Sequence, residues 1–292
     1  MKFNIILLTV LIAVSHLFAG TEPQIKLNKP WTGSLKDGFT IDYKGKNYPR
    51  IITRWNVKKE SFYLIRLEAS SSEDTVLGCR IMFGKRKMVS KLELTSQPVT
   101  LKIPVFTGDF EELSLDFFKL PSDPVKVSLK ILSVKEMSQK ELAADQFAGS
   151  GNFETSVPML TPRSKVKVVP CDRFVAGEKA LELPPAVTLT APYLAVIPGK
   201  KYELRFFACS SEQSSITASV QLWSPFGHRG KHFYKPETFK LGEHPTLCRV
   251  EVVIPDSAQI PDAADRIASV KLSSPKKGGK IWVDELTFKE IK

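Results

Sequence analysis

Short stretches of this chain alternate apolar and polar side chains with a period of two, which is typical of β-strands with one buried face. Residues 63–73 read "YLIRLEASSSE" and residues 202–212 read "YELRFFACSSE", with identical residues at six of the eleven positions. Each stretch has one apolar face that starts with Tyr and includes an Ala, and Arg66 and Arg205 share one place on the opposite face. The pattern predicts two equivalent strands, 139 residues apart in the chain.

Further strand-like runs follow each copy in the same order, which indicates a duplicated unit. They cover residues 76–84, 99–105 and 125–137 in the first half, and 216–224, 247–255 and 279–291 in the second. Helical patterns are sparse, and the best one, residues 138–149, begins at a capping Ser138 and is either a short helix or a linker. We therefore predict an all-β protein with two tandem β-sandwich (jelly-roll) domains, residues 21–137 and 151–292, and a linker over 138–150.

The first 20 residues, "MKFNIILLTVLIAVSHLFAG", have one Lys, a short apolar run and small residues at the end. This is the pattern of a secretory signal peptide, and a retained N-terminal anchor is the alternative. No later stretch is apolar for long enough to span a bilayer. We expect an exported protein that is secreted, periplasmic or attached to the cell surface.

The formal net charge is +11, with Lys and Arg spread along the chain. A basic surface attracts anionic partners, and for an exported protein these are acidic polysaccharide, cell-wall polymer or membrane surface. Charge that serves only solubility is the alternative. No nucleic-acid recognition motif is present, so we do not expect a nucleic-acid partner.

The four cysteines, Cys79, Cys171, Cys209 and Cys248, have irregular spacings without a CxxC pair, which argues against a zinc site. An oxidising compartment permits disulfides, and four cysteines allow three full pairings. Cys209 and Cys248 both fall in strand-like runs, so this is the pair to test first. Free buried thiols are the alternative.

The second half resembles the jelly-roll carbohydrate-binding modules of the galactose-binding-like superfamily that are attached to xylanases and glucanases. The resemblance rests on an ordered set of short motifs over about residues 151–291. They are "NFE" at 152–154, "GEKALEL" at 177–183, "VIPGKKYELRFFA" at 196–208, "RVEVVIP" at 249–255 and "IWVDEL" at 281–286. The first half matches only through the internal repeat and has no clear "NFE" opening.

This resemblance implies a structural calcium ion at the sandwich edge, held by Glu154 and Asp284. The sequence adds a physical reason, because Trp282, Asp284, Leu286 and Phe288 would share one face of a regular closing strand. If that face is the core, the carboxylate of Asp284 must be paired or bound to a metal. A solvated Asp284, or one paired with a Lys, is the alternative. Lys130 stands at the corresponding place in the first half, which should therefore lack the metal.

Aromatic and polar side chains that suit a sugar ligand concentrate in residues 221–239. We expect Trp223, Phe226, His228 and Tyr234 to form a glycan platform; the alternative is an aromatic minicore that closes one end of the sandwich. Arg205 and Arg66 are further candidates, since an arginine on a non-core face can bond hydroxyls or a uronate carboxylate. A cross-strand ion pair is the alternative for each.

No residue pattern indicates catalysis. Acidic residues are present, but none stands in a recognisable glycosidase setting, and no G-x-S-x-G motif occurs. The expected function is an exported, non-catalytic carbohydrate-binding protein that contacts a polysaccharide or oligosaccharide, acidic ones included, and works beside a separately encoded glycoside hydrolase. The alternative is a structural, adhesion or protein-interaction protein of the cell envelope.

Overall fold

The structure is a computed structural model that describes residues 23–28, 31–44, 49–83, 86–119, 124–154, 160–174, 177–222, 234–256 and 266–292. Of these, residues 86–91, 119, 163 and 234 are described in their backbone only. The chain forms two compact units that divide between Met137 and Ser138. Both consist of antiparallel sheets, so the predicted all-β fold class with two tandem sandwiches is confirmed.

The first unit holds ten strands within its described residues. They are β1 (Gln24–Leu27), β2 (Thr32–Ser34), β3 (Gly38–Tyr43), β4 (Arg50–Asn56), β5 (Phe62–Ser71), β6 (Thr75–Phe83), β7 (Arg86–Leu94), β8 (Val99–Phe106), β9 (Glu112–Lys119) and β10 (Val125–Glu136). Sheet A has the strand order β2-β3-β10-β5-β8, and sheet B has the order β1-β4-β9-β6-β7. Apart from the consecutive pairs β2-β3 and β6-β7, neighbouring strands in each sheet are distant in sequence, as in a jelly roll.

The second unit repeats this arrangement with nine strands in its described part. They are β11 (Lys167–Pro170), β12 (Lys179–Leu183), β13 (Thr188–Ala195), β14 (Lys201–Ser210), β15 (Ser214–Leu222), β16 (Tyr234–Leu241), β17 (Thr246–Val253), β18 (Ile267–Ser273) and β19 (Ile281–Ile291). Sheet C has the order β13-β18-β15-β16 and corresponds to sheet B. Sheet D has the order β11-β12-β19-β14-β17 and corresponds to sheet A.

Side chains of sheets C and D that point inward form one continuous core in the second unit. Tyr202, Leu204, Phe206 and Ala208 of β14 are all fully buried in it, and the intervening positions face outward, as the alternation predicts. The ring of Tyr202 stacks on that of Phe288 at a centroid distance of 5.3 Å. Burial of such large side chains is the main stabilising contribution to the sandwich.

Equivalent hydrogen bonds occur inside each of the two units, at positions 139 residues apart in the chain. The hydroxyl of Tyr63 accepts a hydrogen bond from the backbone N–H of Lys58 at 3.0 Å, and that of Tyr202 accepts one from Ile197 at 3.1 Å. At the other end of the same strands, the hydroxyls of Ser71 and Ser210 each donate to a Glu carbonyl two residues later. The repeated sequence motif is therefore a repeated tertiary unit.

The closing strand β19 contains a bulge, and one prediction from the sequence is wrong because of it. Its pairing with β14 shifts register next to Glu285, which adopts a φ of +51°. Because the bulge adds a residue, Val283 and Leu286 both point into the core, and Trp282 faces outward. The prediction that Trp282 and Asp284 share the face of Leu286 and Phe288 was wrong, because Asp284 stands opposite the outward Phe207 of β14. A matching irregularity lies in β10, between Ile131 and Ser133.

Ser138 begins the second unit with a five-residue helix, α1 (Gln139–Ala143). Ser138 and Glu141 cap it reciprocally, since each backbone N–H donates to the other residue's side chain. The chain after the helix packs along β19: Gln146 donates to the carbonyl of Phe288, and Asp145 Oδ1 accepts from the N–H of Phe288 at 2.9 Å. The stretch 138–150, expected to be a helix or a linker, contains this helix and is hydrogen-bonded to the second unit.

All four cysteines are buried free thiols. Of the two alternatives, free buried thiols are therefore observed, and Cys209 and Cys248, the pair to test first, are not bonded, because β14 residue Phe206, not Cys209, stands opposite Cys248. Phe206 and Cys248 point into the core, whereas Cys209 lies three residues further along β14 and on the other face. Alternation along a strand keeps two such residues on opposite sides of the sheet.

Candidate functional site

On β13, β18 and β15 the outer face of sheet C is lined by hydroxyl and amide side chains, with one lysine, and the edge strand β16 adds Pro236, Thr238 and Lys240. We call the surface on the first three strands the hydroxyl face; it consists of Thr188, Thr190, Thr217, Ser219, Gln221, Ser269, Lys271 and Ser273. These residues face outward because they alternate with core residues such as Leu189, Ala218 and Val270. Neighbouring hydroxyls pair across the strands, as between Thr188 and Ser273 at 2.9 Å.

In the sequence, the stretch that was predicted to form an aromatic platform directly follows β15, a strand of the hydroxyl face. β15 ends at Leu222 and its neighbour β16 begins at Tyr234, so the aromatic stretch joins two paired strands. Trp223, Phe226 and His228 lie outside the described residues. The backbone of Tyr234 pairs with Gln221, whose side chain belongs to the hydroxyl face.

The two candidate arginines lie on other sheets. Arg205 is on the outer face of sheet D, opposite Arg249 and Thr287, and its guanidinium lies 5.7 Å from the ring centroid of Phe207. Arg66 is exposed on the outer face of sheet A, opposite Lys102. Arg205 and the backbone of Tyr234 therefore belong to different sheets of the second unit.

Glu154 is held in place by backbone groups at the start of β12. Its Oε1 accepts hydrogen bonds from the N–H groups of Glu178 at 2.7 Å and Lys179 at 2.9 Å. Gly177 precedes them with a φ of +85°, and a Cβ atom there would lie 2.3 Å from Oε1 of Glu154. Only glycine tolerates both the backbone conformation and this close approach.

Asp284 lies at the bulge of β19 and is only 1% exposed, so the alternative of a solvated carboxylate was wrong. Its Oδ1 accepts from the N–H of Glu285 at 2.8 Å, whereas Oδ2 is buried without a hydrogen-bond partner. The pKa of Asp284 is raised to about 6, mainly by burial and also by the negative charges of Glu285 and Glu154, while the hydrogen bond from the N–H of Glu285 lowers it. A buried carboxylate with an unpartnered oxygen, close to a second carboxylate, is a site that favours a cation.

This donor set fits calcium, which binds carboxylate and backbone carbonyl oxygens. No group of three or more His, Cys, Asp or Glu side chains placed to hold a metal occurs among the described residues. Glu154 and Asp284 would therefore be the acidic ligands, with oxygens of other types completing the shell. The register of the corresponding pairs places Lys130 in the first unit where Asp284 stands in the second, opposite Glu68 and Phe207 respectively.

A charged cluster on the outer face of sheet B was not foreseen from the sequence. Asp116 of β9 is completely buried between two arginines of the neighbouring strands. Arg50 donates to both carboxylate oxygens, from Nε at 3.0 Å and from Nη2 at 2.7 Å, and Arg80 Nη1 lies 3.4 Å from Oδ2. No sequence pattern indicated the partners of Asp116, which lie 66 and 36 residues away in the chain.

Comparisons with known proteins identify similar structures only. No protein-family model matches the sequence, and no curated protein does. The tandem carbohydrate-binding modules CBM22-1 and CBM22-2 of Paenibacillus barcinonensis Xyn10C match at 11% identity over 94% of this chain and 92% of theirs, with a TM-score of 0.40. The CBM22-1 xylan-binding domain of that Xyn10C matches at 13% identity over 49% of this chain and 92% of its own, with a TM-score of 0.38.

An enzymatically active domain is also among the similar structures. It is tailspike protein 4 of bacteriophage CBA120, at 18% identity over 49% of this chain and 21% of its own, with a TM-score of 0.33. The matched structures thus include carbohydrate-binding modules, the class that the sequence motifs resemble. None of the helices in the described part of the chain has the length and hydropathy of a membrane-spanning segment.

Proposed function

We propose that this protein is an exported, non-catalytic carbohydrate-binding protein whose second unit contacts glycan on the hydroxyl face and through the adjoining aromatic stretch. The observation that carries the proposal is the composition of the hydroxyl face. An outer sheet surface of Thr, Ser, Gln and a single Lys offers both donors and acceptors, as sugar hydroxyls require.

The aromatic residues supply the second component of sugar recognition. Trp223, Phe226 and His228 lie in the stretch between β15 and β16, Tyr234 begins β16, and the stretch continues from the strand positions of Gln221 and Ser219. Flat rings contact the C–H faces of pyranose units, while the hydroxyl face bonds their edges. Exposed aromatic residues without such a ligand are a solubility liability, which favours a binding role.

Affinity gel electrophoresis tests this proposal on the full chain, with neutral β-1,4-galactan, mixed-linkage β-glucan and xylan in the gel. We expect at least one of them to retard the protein, and Trp223→Ala and Lys271→Gln each to weaken retardation about tenfold or more. Lys289→Gln is the matched control, since Lys289 is an exposed lysine on the outer face of sheet D. Full retardation of both variants, with unchanged circular dichroism, would overturn the assignment of the hydroxyl face.

A structural calcium ion bound by Glu154 and Asp284 belongs to the same proposal. Its support is the unpartnered Oδ2 of Asp284 and the neighbouring charge of Glu154. The ion would neutralise two carboxylates at the edge of sheet D and fix the 151–154 stretch beside β19, where Gly151 already accepts a hydrogen bond from Leu286. Calcium at 100 times its Kd would stabilise the protein by about 2.7 kcal/mol.

Export and the absence of catalysis complete the proposal. Export rests on the signal-peptide pattern of residues 1–20 and places the protein outside the cytoplasm, beside a separately encoded glycoside hydrolase. Mass spectrometry of the protein recovered from its natural location tests this, because an intact N-terminus there would contradict cleavage after the leader. Release of reducing sugar from any retained polysaccharide would contradict a non-catalytic role.

A protein-contact role is the second candidate. The edge strand β17 exposes Val253, at 58% of its surface, and Leu247 on the outer face of sheet D. Exposed apolar residues on an unpaired strand edge are suited to protein association. Failure of every polysaccharide to retard the protein would favour this candidate over glycan binding.

A further inference from the structure

The outer face of sheet B in the first unit differs in chemistry from the hydroxyl face to which it corresponds. We call its central part the basic face and define it by these outward positions: Gln24, Lys26, Arg50, Ile52, Arg54, Gly78, Arg80, Met82, Ser114, Asp116 and Phe118. Four of these residues are positively charged and one is negatively charged. Glu112 and Glu93 stand at outward positions beyond its two ends. Lys271 is the one charged residue of the hydroxyl face, and Lys240 of the edge strand β16 lies outward beside that face, so the outer face of sheet C carries fewer charged side chains than the basic face.

Asp116 fixes both arginines at the centre of the basic face. Its carboxylate is fully buried, although the alternation of β9 directs it away from the core. It is buried because Arg50 and Arg80 pair with it from the strands on either side, at 2.7 Å and 3.4 Å. Charge-assisted hydrogen bonds of this kind orient a guanidinium group more firmly than solvent does.

Phe118 and Gly78 also help to hold the guanidinium of Arg80 in position. The guanidinium of Arg80 lies 4.4 Å from the ring centroid of Phe118, a cation–π contact. That ring in turn lies over Gly78 of the adjacent strand, where a Cβ atom would come within 2.4 Å of it. Arg80 is therefore held from one side by a carboxylate and from another by an aromatic face.

Within the described residues, N–H donors of Arg50 and Arg80 remain without an acceptor after these contacts are made. Each guanidinium has five N–H groups; Asp116 occupies two nitrogens of Arg50 and one of Arg80, and the side chains of Arg50 and Arg80 are still 35% and 38% exposed. The hydroxyl of Ser114, the next outward residue of β9, is buried without a hydrogen-bond partner. Oriented donors without acceptors on a positive surface suit a ligand that only accepts hydrogen bonds.

We propose that the basic face binds acidic polysaccharide through carboxylate or sulfate groups, with Arg50 and Arg80 as the anion-binding residues and Asp116 as the residue that positions them. The proposal rests on the proposed glycan-binding function and adds a second site with its own ligand class. Guanidinium groups bind planar carboxylates and sulfate oxygens through paired N–H donors, which a lysine cannot reproduce. The first unit would thus recognise charge, while the second recognises sugar hydroxyls.

Isothermal titration of the full chain tests the proposal with three probes: polygalacturonate for carboxylate, dextran sulfate for sulfate ester, and neutral β-1,4-galactan. We expect Arg80→Gln to weaken binding of an acidic probe at least tenfold and to leave neutral binding unchanged. Arg80→Gln keeps the two-bond pair of Arg50 with Asp116, so the fold survives. Arg80→Lys retains the charge. It should restore less than half of the change in log Kd that Arg80→Gln causes.

Lys130→Gln is the control, because it removes one exposed positive charge from the outer face of sheet A in the same unit. Equal losses from Lys130→Gln and Arg80→Gln, or full recovery in Arg80→Lys, would reduce the effect to net charge and overturn the proposal. Tighter binding of a single-stranded DNA homopolymer than of either acidic probe would overturn the ligand class. Acidic binding that survives Arg80→Gln but is lost in Trp223→Ala would refute this site and leave the proposed function standing.

Discussion

Arg50 and Asp116 form an ion pair with two hydrogen bonds, in which the arginine is one-third exposed and the carboxylate is completely buried. The hydrogen bond to Asp116 raises the pKa of Arg50 above its ordinary value. Loss of the arginine and loss of the carboxylate should therefore change the free energy of unfolding by different amounts. The arginine can return to solvent when the pair is broken, whereas the carboxylate lies beneath its partners and stays covered when apolar side chains of similar length replace them.

Removal of the arginines should therefore cost more stability than removal of the acid. We expect the double variant Arg50→Met/Arg80→Met to lose about 3–5 kcal/mol, since it leaves a buried charge without a partner. Asp116→Asn should lose about 1–2 kcal/mol, because an amide keeps one acceptor and the arginines become solvated. Urea unfolding measures both, with exposed Arg54→Met as a control that should change by less than about 0.5 kcal/mol. Equal losses in the two variants would contradict the asymmetry.

Gly78 is required by the ring that lies over it. In Gly78→Ala the new Cβ atom would meet two atoms of the Phe118 ring at 2.4 Å, and Arg80 restrains that ring. We expect a loss of about 1–3 kcal/mol, as for other overpacked sites. Gly242→Ala is the matched control, because no atom lies within 4 Å of its Cβ position. Phe118→Leu should partly rescue Gly78→Ala; a double variant no more stable than Gly78→Ala would contradict the contact.

Asp284 should make stability depend on pH when calcium is removed. Its pKa is about 6 in the folded protein, against an ordinary 3.8, so the folded state binds its proton more tightly than the unfolded chain. Between about pH 4 and pH 6 stability should therefore fall as pH rises. Compared with Asp284→Asn in a chelator, the protein should lose up to about 3 kcal/mol across this window, at about 1.4 kcal/mol per pKa unit.

Calcium should reverse that loss at pH 7, because the ion replaces the proton on Asp284. Thermal unfolding in chelator and in millimolar calcium, at pH 4.5 and pH 7, measures both effects. Asp284→Asn should lose the stabilisation by calcium together with the pH dependence. A calcium response that persists in Asp284→Asn would place the ion elsewhere.

Tyr63 and Tyr202 should contribute equally to their own units. Each phenol oxygen accepts a backbone N–H at about the same distance, 3.0 Å from Lys58 and 3.1 Å from Ile197. We expect Tyr63→Phe and Tyr202→Phe each to lose about 1–2 kcal/mol, because the N–H group is left unsatisfied. Urea unfolding of the full chain measures the two losses. A loss confined to one variant would argue against equivalent roles of the repeated tyrosines.

Local alternation in the sequence determined the strands and their inner and outer faces wherever the period of two is unbroken. It placed Tyr202, Leu204, Phe206 and Ala208 in the core, and it matched Lys130 with Asp284 across the repeat. It failed at the β19 bulge, because one extra residue at Glu285 moves every later side chain to the other face. The hydrophobic pattern does not mark that insertion.

Contacts between distant strands were decided only by the tertiary structure. Asp116 meets Arg50 and Arg80 because β9 lies between β4 and β6, and no local pattern encodes that neighbourhood. The positions of Cys209 and Cys248 were also decided by the tertiary structure: the two residues lie on neighbouring strands but on opposite faces of the sheet. A strand's own residues set which side chains turn inward, whereas sheet order and register set what each outward side chain meets. The fold class could therefore be predicted from the sequence, and the basic face could not.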